Sequence, residues 1–286
     1  MQTGYAQIGP LSMYHEVEGG GPPLALLHGA YMTADMMAGL RAGLTGTRRV
    51  ITPELQGHGR TADVDRPLTH EQMAEDTAAL LRHLGATPAD VVGFSLGGGI
   101  ALQLAIRHPD LVRRLVVIST AHAHDGMKPE ALALYPTITP EMFAGSPAER
   151  AYLELAPDPG GFPVLVEKLV ALLSTPRGWP ADAIRAIRAP TLIIVGDADV
   201  VRLEHAVELF RLRGGGAIGD FAELPDARLA VLPGTSHFIP PGSGVLDRAP
   251  LLLEMIVPFL CDEPTTGAGE VRSPRDARAR DRPTPP

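Results

Sequence analysis

Asp90-Val91-Val92-Gly93-Phe94-Ser95-Leu96-Gly97-Gly98 is the stretch that decides how this chain folds. It leads from one apolar run into another, 100–106, and the two differ in kind. The first is short, as a buried strand is, whereas 100–106 is apolar nearly all round, as a helix pressed against the middle of a sheet must be. Between them a serine stands in Gly93-x-Ser95-x-Gly97, the spacing of a very tight strand-to-helix turn. Such a turn holds its central residue in strained backbone and thrusts the hydroxyl out at the C-terminal edge of the sheet. Glycines flank it because a Cβ there would strike neighbouring elements. The helix N-terminus behind it favours negative charge developing at the turn. A phosphate-binding loop is the rival reading, but no lysine follows these glycines and they do not form G-x-G-x-x-G.

Similar short apolar runs recur at 24–27, 49–52, 115–119, 192–195 and 229–232, separated by longer segments of helical character. That alternation predicts a mainly parallel sheet with helices on both faces. Near the start, 4–8 and 11–17 flank Gly9-Pro10 and predict an antiparallel hairpin at one edge. Residues 69–84 read as an amphipathic helix, with Met73, Leu80, Leu81 and Leu84 at helical spacing and Thr69 as N-cap. The stretch 122–180 breaks the alternation. It is rich in Pro, Leu, Met and aromatic residues, contains helical pieces such as 164–173, and is expected to be a helical cap over a core made of 1–121 and 181–261. Beyond 262 large apolar side chains all but vanish, so 262–286 is expected to be a disordered tail.

Composition narrows the function. The chain has 286 residues, 45% hydrophobic and 20% charged, which places it with ordinary globular proteins, and its net charge of −8 argues against nucleic acid or an anionic membrane as partner. It contains no apolar run long enough for a bilayer, and its first ten residues lack the pattern of a secretory signal, so a cytoplasmic location is the expectation. Cys261 excludes an intramolecular disulfide and a cysteine-rich zinc site, and in its apolar surroundings reads as inert packing.

A serine hydroxyl is a weak nucleophile unless a base takes its proton, and ten histidines compete for that part. His237 follows the last expected strand through Pro233-Gly234-Thr235-Ser236, which puts it on a loop at the same sheet edge as Ser95. His28 and His58 sit in glycine turns and suit loop bracing, while His122 and His124 could pair on a metal but have no further ligand cluster in the sequence. A carboxylate must hold the base in one tautomer, and Asp197 and Asp199, just past 192–195, are equally placed for it, with Asp125 as a third option. The amides of Leu96 and Ala30 are the candidate donors to an oxyanion.

The ordered set His28-Gly29, Gly57-His58-Gly59, the Ser95 turn, Gly196-Asp197-Ala198-Asp199 and Gly234-Thr235-Ser236-His237 resembles the α/β-hydrolase superfamily across residues 1–260. Within it, the chain is most similar to small bacterial esterases, cofactor-free haloperoxidases (perhydrolases), enol-lactonases and prolyl aminopeptidases. The resemblance implies an α/β-hydrolase fold with a mostly parallel eight-stranded sheet, flanking helices and an inserted cap. It also implies a catalytic Ser95, Asp199 and His237, the acid being the last residue of Gly-x-x-Asp, and an oxyanion hole from the N–H groups of Ala30 and Leu96. The implied reaction is hydrolysis of a small-molecule carboxylic ester without metal or organic cofactor. A lactone, amide or peroxide reaction on the same triad, or a non-catalytic binding protein on the same scaffold, are the alternatives. Tyr31, Phe143, Trp179 and Phe238 are the expected pocket residues, and a homodimer is one possible assembly. The sequence departs from the family's pattern after His237, at Phe238-Ile239-Pro240-Pro241-Gly242-Ser243-Gly244, where the rim of the site should differ.

Overall fold

The computed structural model describes residues 1–221, 224–238 and 242–261; the tail expected over 262–286 lies outside the described residues. Eight strands form one mixed sheet in the order β1-β2-β4-β3-β5-β6-β7-β8. The hairpin of β1 (Gln2–Ile8) and β2 (Leu11–Glu18) closes with Ile8 opposite Leu11, and β2 pairs antiparallel with β4 (Arg49–Pro53). The others run parallel: β3 (Pro23–Leu27), β5 (Ala89–Phe94), β6 (Val112–Ile118), β7 (Thr191–Ala198) and β8 (Ala227–Ser236).

Alternate residues of the central strands enter two separate cores, which is why their sequences are apolar throughout. Ala25, Leu27 and Val91 face the side covered by α2 (His70–His83), α3 (Leu96–Arg107) and α8 (Leu203–Leu212). Leu24, Leu26 and Val92 face α1 (Ala38–Leu44) and α9 (Ala249–Cys261). Thr69 caps α2, its hydroxyl accepting from the Gln72 amide at 3.0 Å. Cys261, expected to be packed, is the exposed last residue of α9; Phe259 and Leu260 take the buried positions, and the next residue around the helix turns to solvent.

Between β6 and β7 the chain forms α4 (Pro129–Leu134), α5 (Pro147–Leu155), α6 (Phe162–Ser174) and α7 (Ala181–Arg185), joined by short turns. The helices of 122–180 are fastened at the C-terminal edge of the sheet. Lys168 on α6 reaches Asp63 and the carbonyls of Val64 and Arg66 in the loop after β4, at 2.6, 2.9 and 2.9 Å. Met127 bridges Val201 just past β7. Among the described residues no helix is long and apolar enough to cross a membrane.

Candidate active site

Ser95 sits between β5 and α3 with φ 54° and ψ −114°, a backbone conformation that costs of order 1–3 kcal/mol and persists only where its surroundings impose it. Its amide donates to Ile118 O at 2.9 Å, and its carbonyl accepts the Gly99 amide at 3.1 Å, closing the first helical turn. The neighbouring glycines are there for want of space. A Cβ on Gly93 would strike the carbonyl of Gly97, and one on Gly97 would strike the carbonyl of Leu27 and come within 2.6 Å of that of His28.

The same edge receives the other two groups. His237 Nε2 lies 2.9 Å from Ser95 Oγ, and His237 Nδ1 lies 2.8 Å from Asp199 Oδ1. With Asp199 ionised, Nδ1 carries the proton and donates it to the carboxylate, leaving Nε2 free to accept from the serine hydroxyl. Asp199 is buried, and burial alone would push its carboxyl up. His237, by hydrogen bond and charge, then the Ser119 hydroxyl and the Val201 amide, more than offset this and hold it below the usual carboxylate value. Ser119 Oγ donates to Asp199 Oδ2 at 2.5 Å and Val201 N donates to Oδ1 at 3.2 Å.

The two acids that sequence position left equivalent are separated by what they touch. Asp197 is exposed and accepts the amides of Gly234 and Thr235 at 2.9 and 3.0 Å, fixing the turn that delivers His237. Asp125 lies in a short turn before α4, exposed, with its carbonyl held by Arg202, and is not hydrogen-bonded to His237. Leu96 opens α3, where a backbone N–H has no intrahelical acceptor. Ala30 follows Gly29 in the loop pressed against this turn, and Tyr31 behind it has φ 61°, which bends the loop across the site's edge.

The expected pocket residues have packing partners of their own. Tyr31 and Phe143 rings lie 4.6 Å apart, and Phe143 also meets Phe162 at 5.7 Å. Trp179 donates its indole N–H to Glu71 at 3.0 Å and sets its edge against His70 at 5.5 Å. Phe238 is half exposed beside His237. His28 and His58 are fully buried 5.1 Å apart; burial, then the mutual charge, drives His28 down to about 3, and burial drives His58 to about 4. His28 Nε2 accepts the Leu55 amide at 3.1 Å, so the pair braces the loops after β3 and β4.

Two features escaped the sequence. Ser119, φ 53°, has no motif around it; its sole signal is a polar residue at the C-terminal end of an apolar run. His122 does not pair with His124. It stacks on His205 of α8 at 4.2 Å, and with Glu208 these residues bring ligand atoms within 4.8 Å of one another, a grouping the sequence hides because 83 residues separate the histidines. His205 Nε2 is already engaged by the His122 amide.

A model of the alpha/beta hydrolase fold matches residues 22–151. The chain has the α/β-hydrolase fold. Among curated relatives, the magnesium-chelatase 30 kDa subunit of Rhodobacter capsulatus is 44% identical over 36% of this chain, and the match spans only 36% of that relative's length. The pimeloyl-[acyl-carrier protein] methyl ester esterase of Nitrosospira multiformis is 26% identical over 80% of this chain and 93% of its own. The enol-lactonase of Burkholderia xenovorans LB400 superposes with a TM-score of 0.66 at 20% identity, over 90% of this chain and 100% of its own.

Proposed function

We propose that the protein hydrolyses carboxylic esters through an acyl-enzyme formed on Ser95. The observation that carries this reading is the unbroken relay from Ser95 Oγ to His237 to Asp199, at 2.9 and 2.8 Å. His237 Nε2 takes the serine proton as Oγ attacks the ester carbonyl, and the resulting oxyanion is held by the amides of Leu96 and Ala30. The tetrahedral intermediate expels the alcohol, which leaves with the proton from His237. Water then adds to the acyl-enzyme by the same route, its proton passing through His237 to Ser95, and the acid is released. Asp199 keeps the imidazole oriented and offsets its transient charge, and Ser119 positions Asp199.

The esterase relative, aligned over most of both chains, supports an ester as substrate. We read the helices of 122–180 as a cap that excludes water from this edge, with Tyr31, Phe143, Trp179 and Phe238 shaping an apolar approach. A p-nitrophenyl ester series of increasing acyl length tests the reading. The native protein should turn over at least one member, and Ser95→Ala should abolish that turnover. Hydrolysis that survives Ser95→Ala would overturn it.

A further inference from the structure

The cap joins the sheet through two extended segments that pair as a short antiparallel ribbon. Ala123 bridges Gly178, the His124 amide donates to Arg177 O at 2.7 Å, and the Trp179 amide donates to His122 O at 3.1 Å. Side chains alternate across such a ribbon, so His122, His124, Arg177 and Trp179 share one face and Ala123 and Gly178 the other. Gly178 is exposed, which makes its face the outer one. The inner face packs downward, Trp179 against His70 of α2. The Trp179 ring comes within 3.4 Å of where a Cβ on Gly99 would stand, and Gly99 bonds back to Ser95 through the first turn of α3. The edge of the Trp179 ring therefore lies about one helical turn, ~5 Å along the axis, from the nucleophile.

This face carries polar groups without partners. Arg177 Nε and His124 Nδ1 are sealed from solvent, and neither has a hydrogen-bond partner among the described residues. The Arg177 guanidinium stands 5.8 Å from the centre of the Trp179 ring, and Glu71, whose charge it feels, accepts the Trp179 indole N–H through one of its two carboxylate oxygens. Burial pulls Arg177 below its ordinary value, and the nearby Tyr135 and Glu71 recover only part of this. Burial raises the Tyr135 phenol, and the charges of Arg177 and Asp199 act on it in opposite senses. A desolvated guanidinium with an idle donor is costly to keep, and a carboxylate is the ligand whose geometry matches it. His237 reaches Ser95 from the loop after β8 and would protonate a leaving alcohol there, so the side of Ser95 where Trp179 packs against α2 would be left to the acyl group.

We propose that Arg177, with His124 beside it, binds a free carboxylate on the acyl part of the substrate, so that the ester opened at Ser95 is a monoester of a short dicarboxylic acid. This rests on the acyl-transfer reading of Ser95. The test compares mono-4-nitrophenyl esters of succinate, glutarate and adipate with their methyl-capped neutral counterparts, on the native protein, Arg177→Met and Arg177→Lys. Native kcat/KM should favour at least one charged ester over its neutral partner by about tenfold or more, as a charge-assisted hydrogen bond implies. Arg177→Met should collapse that ratio, and Arg177→Lys should keep part of it. A native ratio at or below one for all three lengths overturns the subsite, as does an Arg177→Met protein with an unchanged ratio. If Arg177→Met does not fold, the native and Arg177→Lys ratios decide alone. Fluorophosphonate labelling of the same preparation separates the two readings: labelling without charge preference removes the subsite only, whereas no labelling removes the acyl-transfer reading itself.

Discussion

Two buried carboxylates, Asp90 and Asp199, sit at opposite ends of the strands and are held in different ways. At the N-terminal end of β5, the wholly buried Asp90 receives the Arg48 guanidinium at 2.8 Å and that of Arg113, and Arg48 also donates to Leu260 O at 2.6 Å. Here cation meets carboxylate in ordinary backbone. At the C-terminal edge, Ser95, Ser119 and Tyr31, the non-glycine residues of positive φ among those described, follow β5, β6 and β3, and the buried Asp199 is matched to an imidazole and two neutral donors. Positive-φ backbone gathers around Ser95, whereas the Asp90 carboxylate is matched by two guanidiniums.

If that contrast is sound, substitutions at one edge should strike rate and at the other stability. Ser95→Ala should lower ester kcat by about 10⁶ with little change in the unfolding midpoint, since removal of a triad nucleophile elsewhere costs about this much. Asp199→Asn should cost about 10⁴ in kcat, because the amide imposes the wrong imidazole tautomer. Arg48→Met at the opposite edge should cost about 3–5 kcal/mol in denaturant unfolding by leaving Asp90 buried with too little counter-charge, while ester KM on the folded fraction stays near native. An Arg48→Met protein of native stability would erase the contrast.

Ser119→Ala should lower kcat/KM about tenfold by freeing one oxygen of Asp199. Because a hydrogen bond to the ionised form lowers a carboxyl pKa, the same change should raise the pH at which Asp199 titrates, seen by carboxyl carbon NMR. A separate effect concerns acid. His28 and His58 are held down at about 3 and 4, against an unfolded value near 6.5. Between those limits the unfolded chain binds more protons, so the stability they confer is complete above about pH 6.5. Below it each histidine removes about 1.4 kcal/mol per pH unit, until its folded value is reached. Urea midpoints that stay level from pH 7.5 to pH 5 would contradict the burial of this pair.

The same contrast marks what could be read from sequence. The strand runs, the Gly9-Pro10 hairpin and the Ser95 turn were legible because each is a local pattern: a period, a turn dipeptide, glycines forced by contact. Asp197 and Asp199 were not separable by position, since both follow β7 two residues apart. Only the third dimension shows Asp197 capping the turn before His237 while Asp199 goes under the imidazole. Ser119, the His122–His205 stack and the unbonded Nε of Arg177 were invisible because their meaning lies in partners, or a missing partner, supplied by distant segments. Tyr31, Phe143 and Trp179 show the reverse: aromatic character suggested a pocket, and much of it is spent on contacts among themselves and with His70 and Glu71.

The central claim is that Ser95 is made nucleophilic by His237. Intact-protein mass and peptide mapping after exposure to a fluorophosphonate, for the native protein and His237→Ala side by side, test it most directly. The account predicts a single adduct on the Ser95 peptide of the native protein and almost none on His237→Ala; an adduct on another serine, or equal labelling of both proteins, would contradict it.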